Sequence, residues 1–172
     1  MSLTSAVRRV ARLLKASGRK VVFAESCTGG LVSGALTKIP GISDYHCGGV
    51  VVYRDETKRA YLGIPAAVLK KPGPVSSEVA ELMAAGALKM TPESDVAISV
   101  TGHLGPNAPA DLDGIVFCTI AWRKGAGGRS AARISTRRLL CRKDDSRAKR
   151  QRWVVGQVLE LLGNELNAAS EK

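Results

Sequence analysis

Lys20-Val-Val-Phe-Ala-Glu25 lies between an amphipathic stretch at Leu3–Ala16 and a polar, glycine-rich turn at Ser26–Gly30. It is β-branched, apolar and six residues long, which suits a short buried strand. In Leu3–Ala16 the apolar residues recur at Leu3, Val7, Val10 and Leu14, with Arg8, Arg9, Arg12 and Lys15 outside that stripe. That is the spacing of one buried helix face. Ser17-Gly18 ends it. A helix, a buried strand and a second helix from Leu31 to about Ile39, stopped by Pro40-Gly41, set an alternating pattern.

The alternation continues. Gly48–Tyr53 reads as a strand, and Asp55 suits the N-cap of a short helix running to Leu62-Gly63. Pro65, Pro72 and Pro74 mark a loop. Ser76 or Ser77 then caps a longer helix with Val79, Leu82, Met83, Gly86 and Met90 on one face. Asp95–Val100 and Gly114–Trp122 read as strands, the second apolar enough to be central. Gly125–Gly128 reads as the turn of a hairpin to a basic strand at Ala131–Leu140. The last helix, from about Asp144 to Asn167, turns Val155, Val158, Leu159, Leu162 and Leu166 inward. The order α-β-α-β-α-α-β-β-β-α predicts a mixed sheet sandwiched by helices.

The 172 residues fit one domain, 1–172. With 45% hydrophobic residues but only 4% aromatic, Val, Leu, Ile and Ala must fill the core. No run approaches the roughly 18 to 20 apolar residues of a membrane span. The amino terminus lacks the apolar stretch of a signal peptide, so the expected location is the cytoplasm. Cys27, Cys47, Cys118 and Cys141 are scattered without a CxxC pair, which predicts free, partly buried thiols and no metal site.

The formal charge is +11, and ten Lys or Arg residues fall between Arg129 and Arg152 against Asp144 and Asp145. Such a run fits a solvated face, a polyanion footprint or a site for a phosphorylated small molecule. Trp153 is its one aromatic, which gives little support for stacking on single-stranded bases.

The chemistry-bearing segment is Ala24-Glu-Ser-Cys-Thr-Gly-Gly30. A hydroxyl between a buried strand and a helix sits where backbone N–H groups converge and the helix dipole is positive. The amides of Thr28 to Gly30 would then offer an oxyanion site beside Ser26. Alone, the segment also fits a capped turn. Neither His46 nor His103 stands in a context that singles it out as a base. Lys58, five residues after Tyr53, is the better candidate, although by itself it also reads as an exposed helix lysine. To act as a base it must be buried or stand near another cation.

Glu25-Ser-Cys-Thr-Gly-Gly30, Leu36-Thr37, Pro40-Gly41, Gly49–Tyr53, Lys58, Leu62-Gly63, Gly73–Ser76 and Glu78-Val79 together resemble the CinA carboxy-terminal, nicotinamide-nucleotide amidase family. Gly86-Ala87, Val100-Thr101-Gly102, Gly105-Pro106 and Gly114 continue the match in order along nearly the whole chain. The resemblance implies a three-layer α/β/α sandwich around a mixed, mainly parallel sheet, and a homodimer. It implies hydrolysis of nicotinamide mononucleotide to nicotinic acid mononucleotide and ammonia, with no metal or organic cofactor. Ser26, Tyr53 and Lys58 take the catalytic places, and Cys27, Thr28, Gly29, Gly30, Thr101, Gly102 and Gly105 the substrate-binding ones.

Two segments depart from the family pattern. Residues 103–113 are about two residues shorter than the family's glycine-rich loop, which closes with Lys-Pro-Val-Gly, and lack its lysine. Lys143-Asp144-Asp145 stands in place of Gly-Asp-Arg. The alternatives are a paralogue with altered chemistry that binds a nucleotide or protein partner, and a nucleic-acid module built on the 129–152 stretch. On the amidase reading, nucleic-acid binding is at most weak and non-specific.

Overall fold

The computed structural model describes residues 2–123 and 131–170, and the expected turn at Gly125–Gly128 lies outside them. The helices are α1 (Leu3–Ser17), α2 (Leu31–Leu36), α3 (Asp55–Leu62), α4 (Ala66–Lys70), α5 (Ser77–Met90) and α6 (Arg147–Ser170). The strands are β1 (Val21–Glu25), β2 (His46–Val51), β3 (Val96–Gly102), β4 (Ile115–Arg123) and β5 (Ala131–Leu140). They form one sheet in the order β2-β1-β3-β4-β5. β1 pairs parallel with β2 and β3, while β4 pairs antiparallel with β3 and β5. Four of the five strands therefore point one way.

Side-chain alternation assigns each sheet face to a helical layer. Val21 and Phe23 of β1 and Val96, Ile98 and Val100 of β3 pack with α1, α2 and α6. Val22, Ala24 and Ala97 face the opposite way, toward α3, α4 and α5. The second face is lined with small residues, so α5 lies close to it. There the Ser99 hydroxyl donates to the Ala80 carbonyl of α5. A Cβ on Gly86 would stand 2.7 Å from the Leu62 carbonyl oxygen, so α5 and α3 touch through backbone. The result is a three-layer α/β/α sandwich. Among the described residues no helix is long and apolar enough to cross a membrane.

Several boundaries differ from expectation. The 65–74 segment holds α4, because Pro65 is pre-set at φ −62° directly before its first turn. Arg54, not Asp55, is the N-cap of α3. Thr57 Oγ1 serves that end, accepting from the Arg54 N–H and donating to the Arg54 carbonyl. Ser76, rather than Ser77, caps α5 by accepting from the Val79 N–H. Met90, placed on the inward face from the sequence, is the last residue of α5 and is 57% exposed. α2 stops at Leu36, short of Ile39, and α6 begins at Arg147.

The topology creates a crevice. From β1 the chain crosses through α2 to β2 on one side, then returns through α3–α5 to β3 on the other. Loops leaving the carboxyl ends of β1 and β3 therefore diverge. In open α/β sheets that switch point is where ligands bind.

Candidate active site

At that switch point lies a cavity of about 210 Å³. Ser26, directly after β1, lines it together with Tyr53, beyond β2, and Lys58, from the first turn of α3. Thr101, Gly102 and Gly105 border it from the end of β3, and Cys27 adjoins Ser26. Thr28, Gly29 and Gly30 do not line it.

The turn after β1 is held from below by Glu25, which is 1% exposed. Its carboxylate accepts from the N–H groups of Gly30 (3.0 Å), Val32 (3.1 Å) and Ser33 (2.8 Å). Gly29 and Gly30 take positive φ, 64° and 92°, which closes the turn. The expected oxyanion donors are corrected accordingly. The Gly29 N–H donates to the Ser26 carbonyl and the Gly30 N–H to Glu25, so neither is available to a ligand. The amides of Cys27 and Thr28 have no acceptor among the described residues.

Lys58 is 2% exposed, unlike an ordinary helix lysine. Burial pushes its ammonium below the usual lysine range, and Asp55, 3.7 Å away, opposes that shift. A buried lysine bordering the same cavity as a serine is what a Ser–Lys nucleophile needs. Cys27 is equally hidden, and burial pushes its thiol up to about 12, which makes it a poor thiolate. Among the described residues no group of three His, Cys, Asp or Glu side chains could hold a metal ion.

The two histidines separate. His46 sits on β2 away from the cavity, where Nδ1 accepts from the Gly48 N–H and Nε2 lies 2.8 Å from Ser33 Oγ. Burial lowers its basicity. His103 lines the cavity, although nothing in the sequence distinguished it.

The amino end of α6 supplies three residues that sequence reasoning placed only in a cationic run. Arg147 donates to the Tyr53 hydroxyl (2.8 Å) and to the Gly105 carbonyl, joining the two rims of the cavity. Gln151 donates to the Cys27 carbonyl at 3.1 Å and steadies the nucleophile turn. Arg150, 5% exposed, holds both oxygens of Asp113 and the carbonyls of Arg142 and Lys143. This contact keeps the Asp113 carboxyl below its usual range. The shortened 103–113 loop is thus pinned to α6, and Leu104 is buried beneath it. Arg142, Lys143, Lys149 and Arg152 remain exposed, as a solvated face requires.

Comparison with known proteins gives the same answer throughout. Residues 3–166 match the model of the CinA C-terminal domain. The chain is 42% identical over 122 residues to a CinA-like protein of Geobacter metallireducens, covering 70% of this chain and 29% of that protein. It is 36% identical over 165 residues to a CinA-like protein of Myxococcus xanthus, covering 93% and 36%. The chain spans about a third of the length of these curated relatives. The structure superposes on competence/damage inducible protein CihA from Agrobacterium tumefaciens with a TM-score of 0.85 at 33% identity, covering 96% of this chain and 95% of that one. For a CinA superfamily protein from Klebsiella pneumoniae the TM-score is 0.86 at 28% identity, with 98% and 99% covered. With the family model matched along almost its whole length and the fold shared from end to end, this chain belongs to the CinA C-terminal domain family.

Proposed function

We propose that the chain is a Ser–Lys amidohydrolase that converts the carboxamide of nicotinamide mononucleotide to a carboxylate and ammonia. One observation carries the reading: Lys58 is buried and borders the same cavity as Ser26, at the carboxyl ends of the strands. Neutral Lys58 takes the Ser26 proton as Oγ attacks the carboxamide carbon, and the Cys27 amide, on the one residue of the turn beside Ser26 that lines the cavity, holds the developing oxyanion. The Lys58 ammonium then protonates the departing nitrogen, and ammonia leaves an acyl ester on Ser26. Water, deprotonated by Lys58, hydrolyses that ester. Tyr53, held by Arg147, lies beside this proton path.

The division of space suits a mononucleotide. The 210 Å³ cavity is below the roughly 300 to 1,000 Å³ of a typical ligand pocket, and fits the reacting end of the substrate. A second cavity of about 620 Å³ shares Gly105–Ala108 and Arg147 with it and carries Lys143. These two cations would meet the phosphate.

The test is ammonia release by purified protein from nicotinamide mononucleotide, with the unphosphorylated riboside as comparison. The mononucleotide is expected to be the better substrate. Ammonia from neither, with a thermal shift from the mononucleotide retained, would favour the paralogue of altered chemistry.

The exposed cations of 129–152 give a separate expectation. Binding to DNA or RNA should be weak, sequence-indifferent and largely gone at physiological salt. Retained submicromolar affinity there, falling by about 0.7 to 0.9 log units per contacted phosphate against log salt, would instead mark a nucleic-acid module.

A further inference from the structure

Asp55 is the one carboxylate among the described residues that line the Ser26 cavity. It is the first residue of α3, and Lys58 follows one turn later on the same side. Its Oδ1 stands 3.7 Å from Lys58 Nζ. That is beyond direct hydrogen-bond length, so the carboxylate acts on the ammonium chiefly as a charge. The two side chains differ in surroundings, Asp55 being 46% exposed and Lys58 2%.

The other groups bordering the cavity come from four elements. The turn after β1 brings the Cys27 thiol, which its burial keeps neutral. The end of β2 brings Tyr53, the loop after β3 brings His103, and α6 brings Arg147, a cation that donates to the neutral Tyr53 hydroxyl and Gly105 carbonyl. None of these offers Lys58 a fixed negative charge. Asp55 does, from its own helix.

We propose that Asp55 is a positioning residue that sets the pH at which Lys58 becomes available as a base. The proposal rests on the Ser–Lys reading of this site. Burial favours neutral Lys58, and the Asp55 carboxylate favours the ammonium. Activity that needs neutral Lys58 rises as pH climbs through its titration. Asp55→Asn removes the opposing charge and leaves the burial, so Lys58 sheds its proton at lower pH.

The experiment is a pH profile of kcat/KM for ammonia release by wild type, Asp55→Asn and Glu56→Gln. The acid limb reports the free enzyme. In Asp55→Asn it should move to lower pH, so that the pH giving wild type half of its plateau gives the variant nearly all of its own. Glu56→Gln removes an exposed neighbouring carboxylate paired with Arg54, and should leave the limb in place. Damage to packing would lower the plateau without moving the limb. Asp55→Ser, equally uncharged, should repeat the shift if the Asn variant folds poorly.

A second readout does not depend on amidase activity. Acetylation of Lys58 by acetic anhydride, mapped by mass spectrometry across pH, follows the neutral amine. Its onset should also fall in Asp55→Asn. An onset and an acid limb both unmoved would overturn the proposal. Wild-type protein that releases no ammonia, but whose Lys58 acetylation onset still shifts in the variant, would defeat the amidase reading and leave the control of Lys58 by Asp55 standing.

Discussion

Replacing Ser26 with Ala is expected to abolish ammonia release almost completely, by about 10³-fold or more, and Lys58→Met to do the same. Nucleophile and base act as a unit, so each loss costs nearly as much as losing both. The double variant should be scarcely worse than either single one. Cys27→Ala should stay within a few-fold of wild type, because the neighbouring thiol is pushed up to about 12 by burial and supplies almost no thiolate. Stability should move differently from activity. Lys58 holds its amino head almost out of water, and Met is an apolar chain of similar length. Removing a buried polar head that can carry charge relieves its desolvation, so Lys58→Met should melt at the wild-type temperature or above it. A protein that loses function while keeping or gaining stability would mark Lys58 as a residue retained for chemistry. Retained activity in Ser26→Ala with loss in Cys27→Ala would instead make this a cysteine hydrolase.

Much of this arrangement was legible in the sequence, because the signals that carried it are local. β1 is apolar at every position between its flanking polar residues, and it is buried at every position. The inward stripe of α6 follows from 3.6-residue spacing, and Val155, Val158, Leu159, Leu162 and Leu166 are all buried. Ser26 and Lys58 were singled out by their place at the ends of such elements. The parts that escaped depend on distant partners. Arg147, Arg150 and Gln151 share a face at i, i+3 and i+4. That spacing was a usable sign, hidden within ten cations. Nothing in the sequence shows that Arg150 will meet Asp113, 37 positions away, or that Arg147 will reach Tyr53, 94 positions away. The oxyanion expectation failed for a related reason. It assigned the amides of Thr28 to Gly30 to a ligand, without asking where the Ser26 carbonyl and the Glu25 side chain would find their donors.

Glu25→Ala should therefore be among the most destabilising single changes in this protein. The carboxylate is 1% exposed and accepts three N–H groups at the start of α2. Removing it leaves those donors without an acceptor, at about 1 to 3 kcal/mol for each group that water cannot reach. The positive end of α2 also loses its counter-charge. Partial hydration and relief from burying a carboxylate offset some of this, so a net loss of about 3 kcal/mol is expected. For a domain of this size that lowers Tm by roughly 6 to 12 °C. Glu25→Gln keeps an acceptor oxygen but gives up the charge and turns an amide toward donors, so it should fall between Ala and wild type. Activity should drop in both, because Ser26 follows Glu25 directly and its turn closes through Gly30. Urea unfolding with an unchanged m-value would assign the loss to the native state rather than to the denatured chain. The check is calorimetry of all three proteins at one pH. An Ala variant that melts with wild type would mean that water had replaced the carboxylate at no cost. The turn that presents Ser26 would then be held by Gln151 and the glycines instead.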